Sequence, residues 1–345
     1  MDYKLSVIFI TYNHGRYVEK ALRSVLAQET DFPFEVVIGD DCSSDGSQEI
    51  LKRIAEEYPE HEAKGPGDRQ IRLFIRSENT GGRPTLNVYE TTKRCTGEYL
   101  AYLEGDDFWT DPHKLQKQVD ILDAHNEYIA VTHSITMVDE NSDPIADKEV
   151  LKIGDLYDWK GVFTYDDYCY SGKWPGHYST VVSRNIYKDE KYDYTILYRA
   201  SDFTDDALIN LFLLMRGDIY RTDEKMSAWR YIRKTGGTNW NSIAMSRDIA
   251  RADSYMSRTM MKWIEQYRPL GPYSVRQCID NFGAALKDYI KKPTADNRKY
   301  LNDMYDYGIT HVVMKDKKTS LFGFSVKYIF GRIAKTGPVY EKYKG

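Results

Sequence analysis

Four short apolar runs, at residues 5–10, 34–38, 71–75 and 99–103, recur with a helix-forming stretch between each and the next. They are rich in Val, Ile, Leu, Phe and Tyr with little polar alternation, the pattern of strands buried on both faces of a parallel sheet. Between the first two, Val18, Ala21, Leu22, Val25 and Leu26 fall at helical spacing. After the second, Ile50, Leu51, Ile54, Ala55 and Tyr58 do the same, and a third helix leads towards Cys95. Strand–helix alternation of this kind predicts a parallel sheet covered by helices on both faces. Ligands of such a sheet collect outside the carboxyl ends of its strands. The residues standing at those ends therefore carry most of the functional information.

The first run ends in Thr11-Tyr12-Asn13-His14-Gly15 and the second in Gly39-Asp40-Asp41-Cys42-Ser43-Ser44-Asp45-Gly46. The third is followed by Asn79-Thr80-Gly81-Gly82, and the fourth stops at Glu104-Gly105-Asp106-Asp107. Carboxylates this close repel one another by about 4 kcal/mol per pair at ~4 Å and an effective dielectric near 20. Solvation or a bound cation must relieve that. The all-oxygen set Glu104, Asp106 and Asp107 suits a hard cation, Mg²⁺ or Mn²⁺. Mg²⁺ is held by one or two carboxylates together with substrate phosphates, so the acids point to a phosphorylated ligand. A solvated acidic turn is the plain alternative, and Asp40 or Asp45 alone also fits a helix cap.

Downstream, Asp111-Pro112 has the form of a helix start, with an N-cap aspartate and proline at the first position. Residues 129–138 predict a further strand. Residues 149–176 are aromatic and irregular, and 179–182 predict a strand. Asp205-Asp206 introduces an apolar helix at 207–215, with Asp205 well placed as its cap. Short strands are expected at 219–220 and 226–232, followed by the basic loop Arg233-Lys234-Thr235-Gly236-Gly237. From 246 onward the character changes to polar, aromatic helical segments at 249–267, 274–291 and 297–307. This divides the chain into a sheet domain, 1–245, and a helical extension, 246–345. Residues 315–345 are locally basic around an apolar, aromatic stretch at 321–330. That pattern fits a helix lying on an anionic membrane, and equally a terminal helix docked on its own domain.

Several classes drop out. A net charge of −4 gives no basic footprint for nucleic acid. No apolar run approaches the roughly 20 residues of a membrane span. Cys42, Cys95, Cys169 and Cys278 are scattered, and no targeting segment precedes the first strand, so a cytoplasmic protein with reduced thiols is expected. Phosphate-loop, dinucleotide and nucleophile-elbow motifs are missing, and the seven histidines show no zinc spacing. His177 sits in a stretch suited to an acceptor, 174–180, but a hydrogen-bonded structural histidine accounts for it. Tyrosine is abundant, with 29 residues, which suits sugar recognition and also simple packing.

Thr11-Tyr12-Asn13, the 37–46 stretch, Asn79-Thr80-Gly81, Gly97-Glu98-Tyr99 leading into Glu104-Gly105-Asp106-Asp107, and Asp205-Asp206 follow in that order over about the first 230 residues. This ordered set resembles the family 2 glycosyltransferases. The resemblance implies an α/β GT-A fold: a Rossmann-like mixed, mainly parallel sheet flanked by helices, joined here to the helical extension. It implies inverting transfer of a sugar from a nucleotide sugar, expected to be a UDP sugar, with Mn²⁺ or Mg²⁺ as cofactor. The acceptor would be a hydroxyl of a glycan or lipid-linked oligosaccharide in surface polysaccharide synthesis. Thr11 and Asp41 would hold the nucleobase, with Tyr12 and Asn13 beside it and Asp40 supporting the pocket. Asp106 matches the acid near the ribose and diphosphate, and Asp107 the main metal ligand. Glu104 stands where many relatives have aspartate. Asp206 matches the catalytic base, with Asp205 its neighbour.

Two departures stand out. Leu86 occupies the position where relatives often carry an arginine, leaving Arg83 as the nearest substitute. Ile232-Arg233-Lys234 replaces a frequent histidine, so Arg233 or Lys234 would meet the diphosphate as cations. Two competing functions remain. A sugar-phosphate nucleotidyltransferase would need a glycine-rich basic loop after the first strand, which Thr11-Tyr12-Asn13-His14-Gly15 lacks. A non-catalytic glycan-binding module would have no use for the acids at 104, 106, 107 and 206.

Overall fold

The computed structural model describes residues 2–189, 191–201, 206–232 and 248–313. The chain divides into two compact units, Met1–Arg247 and Asp248–Gly345. The first opens with β1 (Leu5–Thr11), α1 (Val18–Leu26), β2 (Phe34–Asp40), α2 (Ser47–Glu57), β3 (Arg69–Ile75), α3 (Pro84–Thr92) and β4 (Tyr99–Glu104). β1 and β2 are buried along their whole length, as strands covered on both faces must be. α1 turns Val18, Ala21, Leu22, Val25 and Leu26 inward onto a core that includes Val7, Phe9, Val36, Ile38 and Leu103.

The unit continues with β5 (Phe108–Trp109), α4 (Lys114–Ala124), β6 (Tyr128–Val138), α5 (Lys148–Leu151) and a 3₁₀ segment, Lys152–Tyr157. Then come β7 (Gly161–Phe163), α6 (Tyr165–Ser171), a 3₁₀ turn at Tyr178–Thr180, β8 (Val182–Arg184), α7 (Ile196–Ala200), α8 (Asp206–Leu214) and β9 (Asp218–Arg230). The described strands form one sheet in the order β3-β2-β1-β4-β8-β6-β9-β5, with β7 also on β9. β3, β2, β1 and β4 are parallel. β8 runs antiparallel between β4 and β6, and β6 and β9 are parallel again. The sheet is therefore mixed, with helices packed against it.

Several local expectations change. Asp111 does not cap a helix directly. It accepts the His113 N–H at 2.8 Å, closing a turn, and α4 starts at Lys114. The 149–176 stretch is not irregular: it holds α5, β7 and α6, the last begun by a Thr164–Asp167 capping box and ended by left-handed Gly172. The strand expected at 179–182 is a 3₁₀ turn, because the Thr180 hydroxyl donates back to the His177 carbonyl at 2.7 Å; β8 starts only at Val182. The two short strands at 219–220 and 226–232 are one strand, β9. Its charged middle, Asp223-Glu224-Lys225, is exposed and is passed by a register shift between His133 and Ser134 of β6.

The second unit is helical, with α9 (Ile249–Ile264), α10 (Pro272–Lys291), α11 (Ala295–Met304) and a π-helical segment, Tyr305–Val313. Met261, Cys278, Ile279, Tyr307, Ile309, Val312 and Val313 form one cluster. Ala285, Tyr300 and Met304 form a second. Among the described residues no helix is long and apolar enough to cross a membrane. The basic tail, 315–345, lies outside them.

Candidate active site

The sheet brings the ends of β1, β2 and β4 together: Thr11 pairs with Asp40, and Ile10 with Glu104. Their loops are cross-tied. Asn13, at a left-handed φ of 55°, receives the Ser44 N–H on its Oδ1 at 2.8 Å and donates its own N–H to Ser43 Oγ at 2.9 Å. Asp40 is fully buried and accepts from the Ser43 N–H at 3.0 Å and from Gln48 at 3.1 Å. Asp41 accepts from Asn79 Nδ2 at 3.0 Å and from the Thr80 N–H and hydroxyl at 3.0 and 2.7 Å. Burial outweighs these bonds and pushes its carboxyl up. Beside this frame, Thr11 Oγ1 is buried without a partner, and Tyr12 is exposed. Arg83 donates to the Tyr198 carbonyl of α7 at 3.2 Å.

The acidic turn after β4 is held against β1 by glycine. A Cβ on Gly105 would lie 2.6 Å from Thr11 Oγ1 and 3.0 Å from His14 Nδ1. The Asp106 carboxylate faces His14 at 3.9 Å. Asp107 points the other way, where β9 clamps it. The Arg230 N–H donates to Asp107 Oδ1 at 2.8 Å, while the buried Arg230 guanidinium donates to the Asp106 and Asp139 carbonyls at 2.9 and 2.7 Å. Asp107 Oδ2 is left buried with no hydrogen-bond partner among the described residues.

A cation fits at that oxygen. Glu104, Asp107 and His177 each offer one ligand atom, all within 4.8 Å of one another. His177 reaches the site because Gly176 passes close to β6; a Cβ there would lie 2.7 Å from Thr132 Cβ. Burial pushes the imidazole down, keeping it neutral, and the Ser179 N–H donates to its Nδ1 at 3.3 Å. Burial, reinforced by Asp106 and Asp206, drives the Asp107 carboxyl well above the usual range. An orphaned buried carboxylate oxygen and a mixed oxygen–nitrogen donor set are what a divalent cation would satisfy.

Asp206 opens α8 on the other side of the same imidazole, 3.9 Å from His177 Nε2, with Asp107 Oδ2 3.9 Å from Nδ1. The Tyr157 hydroxyl donates to Asp206 Oδ2 at 3.0 Å. Trp229 lies against His177, their ring centroids 4.7 Å apart. A largely buried acid cluster with a cation-ready vertex, next to a part-exposed carboxylate, has the chemistry to bind a cation and to accept a proton.

Residues 6–171 match the family model described as Glycosyl transferase family 2. This stretch, just under half of the chain, is thus similar to the family 2 glycosyltransferases. An uncharacterized protein of Mycobacterium tuberculosis is 38% identical over 137 residues, covering 40% of this chain and 36% of its own. The putative teichuronic acid biosynthesis glycosyltransferase TuaG of Bacillus subtilis is 33% identical over 118 residues, covering 34% of this chain and 41% of its own. The chain thus matches about two-fifths of the length of these curated relatives. TarS of S. aureus, solved with UDP-GlcNAc, superposes with a TM-score of 0.58 at 16% identity, covering 87% of this chain and 79% of that one. That likeness is one of fold, and it is the GT-A arrangement.

Within this stretch, the sheet brings Thr11, Asp40, Asp41, Glu104, Asp106 and Asp107 to the carboxyl ends of β1, β2 and β4. The cation-ready trio keeps Glu104 and Asp107 from the expected metal set and has His177 where Asp106 was expected. Asp205, Arg233 and Lys234 lie outside the described residues. Arg230 and Tyr157 carry no signal as site residues in the sequence, and His177 only that of a stretch suited to an acceptor. His177 reads there as structural, and Arg230 is one residue of an alternating strand.

Proposed function

We propose that the chain is an inverting, metal-dependent glycosyltransferase acting on a UDP sugar and a hydroxyl of a glycan or lipid-linked oligosaccharide of a surface polysaccharide. One observation carries the reading: Glu104, Asp107 and His177 converge within 4.8 Å, and Asp206 stands 3.9 Å from the same His177. The UDP-GlcNAc bound by TarS and the teichuronic acid role in the name of TuaG support the donor and acceptor classes. Thr11 and Asp41 would face the nucleobase, with Tyr12 beside them, and Asp106 the ribose and diphosphate.

Asp206 takes the proton of the acceptor hydroxyl as its oxygen bonds to the anomeric carbon. The bond from that carbon to the diphosphate oxygen breaks on the opposite face, its electron pair leaving with UDP, so the configuration inverts. Glu104, Asp107 and His177 would hold a divalent cation, which when bound would supply positive charge beside the diphosphate. The imidazole favours Mn²⁺ over Mg²⁺, which prefers oxygen ligands. Residues 315–345, basic in sequence, would hold the protein at the inner face of an anionic membrane, where a lipid-linked acceptor resides.

Calorimetric titration with UDP, with and without Mn²⁺, tests the site. Wild type should bind UDP at least tenfold more tightly with Mn²⁺, and Asp107→Ala should lose that difference. Equal UDP affinity in all four combinations would end the metal assignment.

A further inference from the structure

Strand periodicity sends Trp229 and Arg230 to opposite faces of β9. Arg230 turns to the acidic turn and lies over the Tyr17 ring at 4.2 Å. Trp229 turns to His177, tilted 32° to its ring, and meets the Tyr157 ring edge-on at 6.4 Å. Tyr157 in turn stands perpendicular to His177 at 5.7 Å while its hydroxyl holds Asp206 Oδ2. Tyr231 packs edge-on against Trp229 at 5.7 Å. Tyr157, Trp229 and Tyr231 are all half-buried. The Trp229 indole N–H makes no hydrogen bond among the described residues.

This cluster lies on the β6–β9 flank of β4, whereas Asp41 hangs from β2 on the opposite flank. A nucleotide seated over β1 and β2 with its diphosphate at the acidic turn leaves the aromatic flank uncovered. Core aromatics do not need a carboxylate beside them; here Tyr157 and His177 both reach one, Asp206. Half-buried aromatic rings with a carboxylate and an indole N–H beside them match a sugar ring, whose C–H face packs on an aromatic while its hydroxyls take the polar groups.

We propose that Trp229 and Tyr157 form the acceptor subsite, taking a pyranose ring whose free hydroxyl points at Asp206. The acceptor is thus a ring sugar rather than a linear polyol phosphate. This rests on the proposed transferase reading for Asp206 as base and for the nucleotide's place over β1 and β2; ring binding is tested separately.

The probes are octyl β-glucoside, octyl β-galactoside and octyl N-acetyl-β-glucosaminide below their micellar concentrations, with glycerol and ribitol as linear competitors. Saturation-transfer NMR reads binding, with and without UDP and Mn²⁺. At least one pyranoside should bind wild type through its ring protons, with linear polyols failing to compete. Trp229→Ala should weaken it tenfold or more, and Trp229→Phe, which keeps an aromatic face, by less. Circular dichroism confirms that both variants fold. Pyranoside affinity unchanged in Trp229→Ala, effective competition by ribitol, or no pyranoside binding to wild type would overturn the subsite. Trp229-dependent pyranoside binding in a protein that takes no UDP would sustain the subsite and sink the transferase reading.

Discussion

His177 stands 3.9 Å from each of two carboxylates, to which the proposed mechanism gives different tasks. A neutral imidazole fits this place, because a protonated one would compete with a cation for Asp107 Oδ2. Burial keeps it neutral. Asp206 differs from Asp107 in remaining 20% exposed, so an acceptor hydroxyl has a path to it. Removing its basicity while keeping its shape separates the two tasks. Asp206→Asn should lower kcat by about 10²–10⁴-fold, the usual contribution of a general base, while leaving UDP-sugar affinity within a factor of three. Turnover assays over a panel of UDP sugars, with a pyranoside acceptor, measure both. Turnover at the wild-type rate would remove Asp206 from the mechanism.

At the scale of elements, the acidic turn is a property of β9 as much as of β4. Arg230 is 2% exposed, and its guanidinium ties the Asp106 and Asp139 carbonyls and Ser142 Oγ together. Arg230→Met keeps bulk but leaves those buried acceptors unpaired and removes the cation near Asp107. The expected loss is about 3–5 kcal/mol, as for breaking a buried charge interaction, read from urea unfolding. Mn²⁺-dependent UDP binding should fall with it. A loss under 1 kcal/mol would show that the turn holds itself. β1 to β4 were legible in the sequence because continuous apolar runs leave no other place to go. β5, β7 and β8 were not, since strands of two or three residues exist only through their partners. β9 was split because Asp223-Glu224-Lys225 breaks its alternation, and only pairing with β6 carries the strand across. The site divides the same way. Asp40, Asp41, Glu104, Asp106 and Asp107 end apolar runs and are visible as such. His177 comes from a turn about 70 residues further on, and no local pattern marks its approach to Asp107.

For the whole molecule, one buried lysine at the start of α4 sets a pH dependence of stability. Lys114 is fully buried, its Nζ has no hydrogen-bond partner, and it rests 4.3 Å from the Trp109 ring centre. Burial drives its ammonium well below the usual lysine range. In the unfolded chain the same group titrates near 10.4. Between the depressed folded value and about 10.4 the unfolded state therefore holds one more proton, so stability rises with pH through that window. Lys114→Met, similar in length and apolar, removes this cost and the unpaired amine, and should stabilise the protein by at least about 1–3 kcal/mol at pH 7. The advantage should shrink as pH rises, by up to about 1.4 kcal/mol per unit where the folded lysine is neutral and the unfolded one charged. Urea unfolding of both proteins at pH 7, 8 and 9 measures it. A gap that stays constant across that range would mean Lys114 keeps the same charge in both states, and the cause of its burial would then have to be sought in the Trp109 contact.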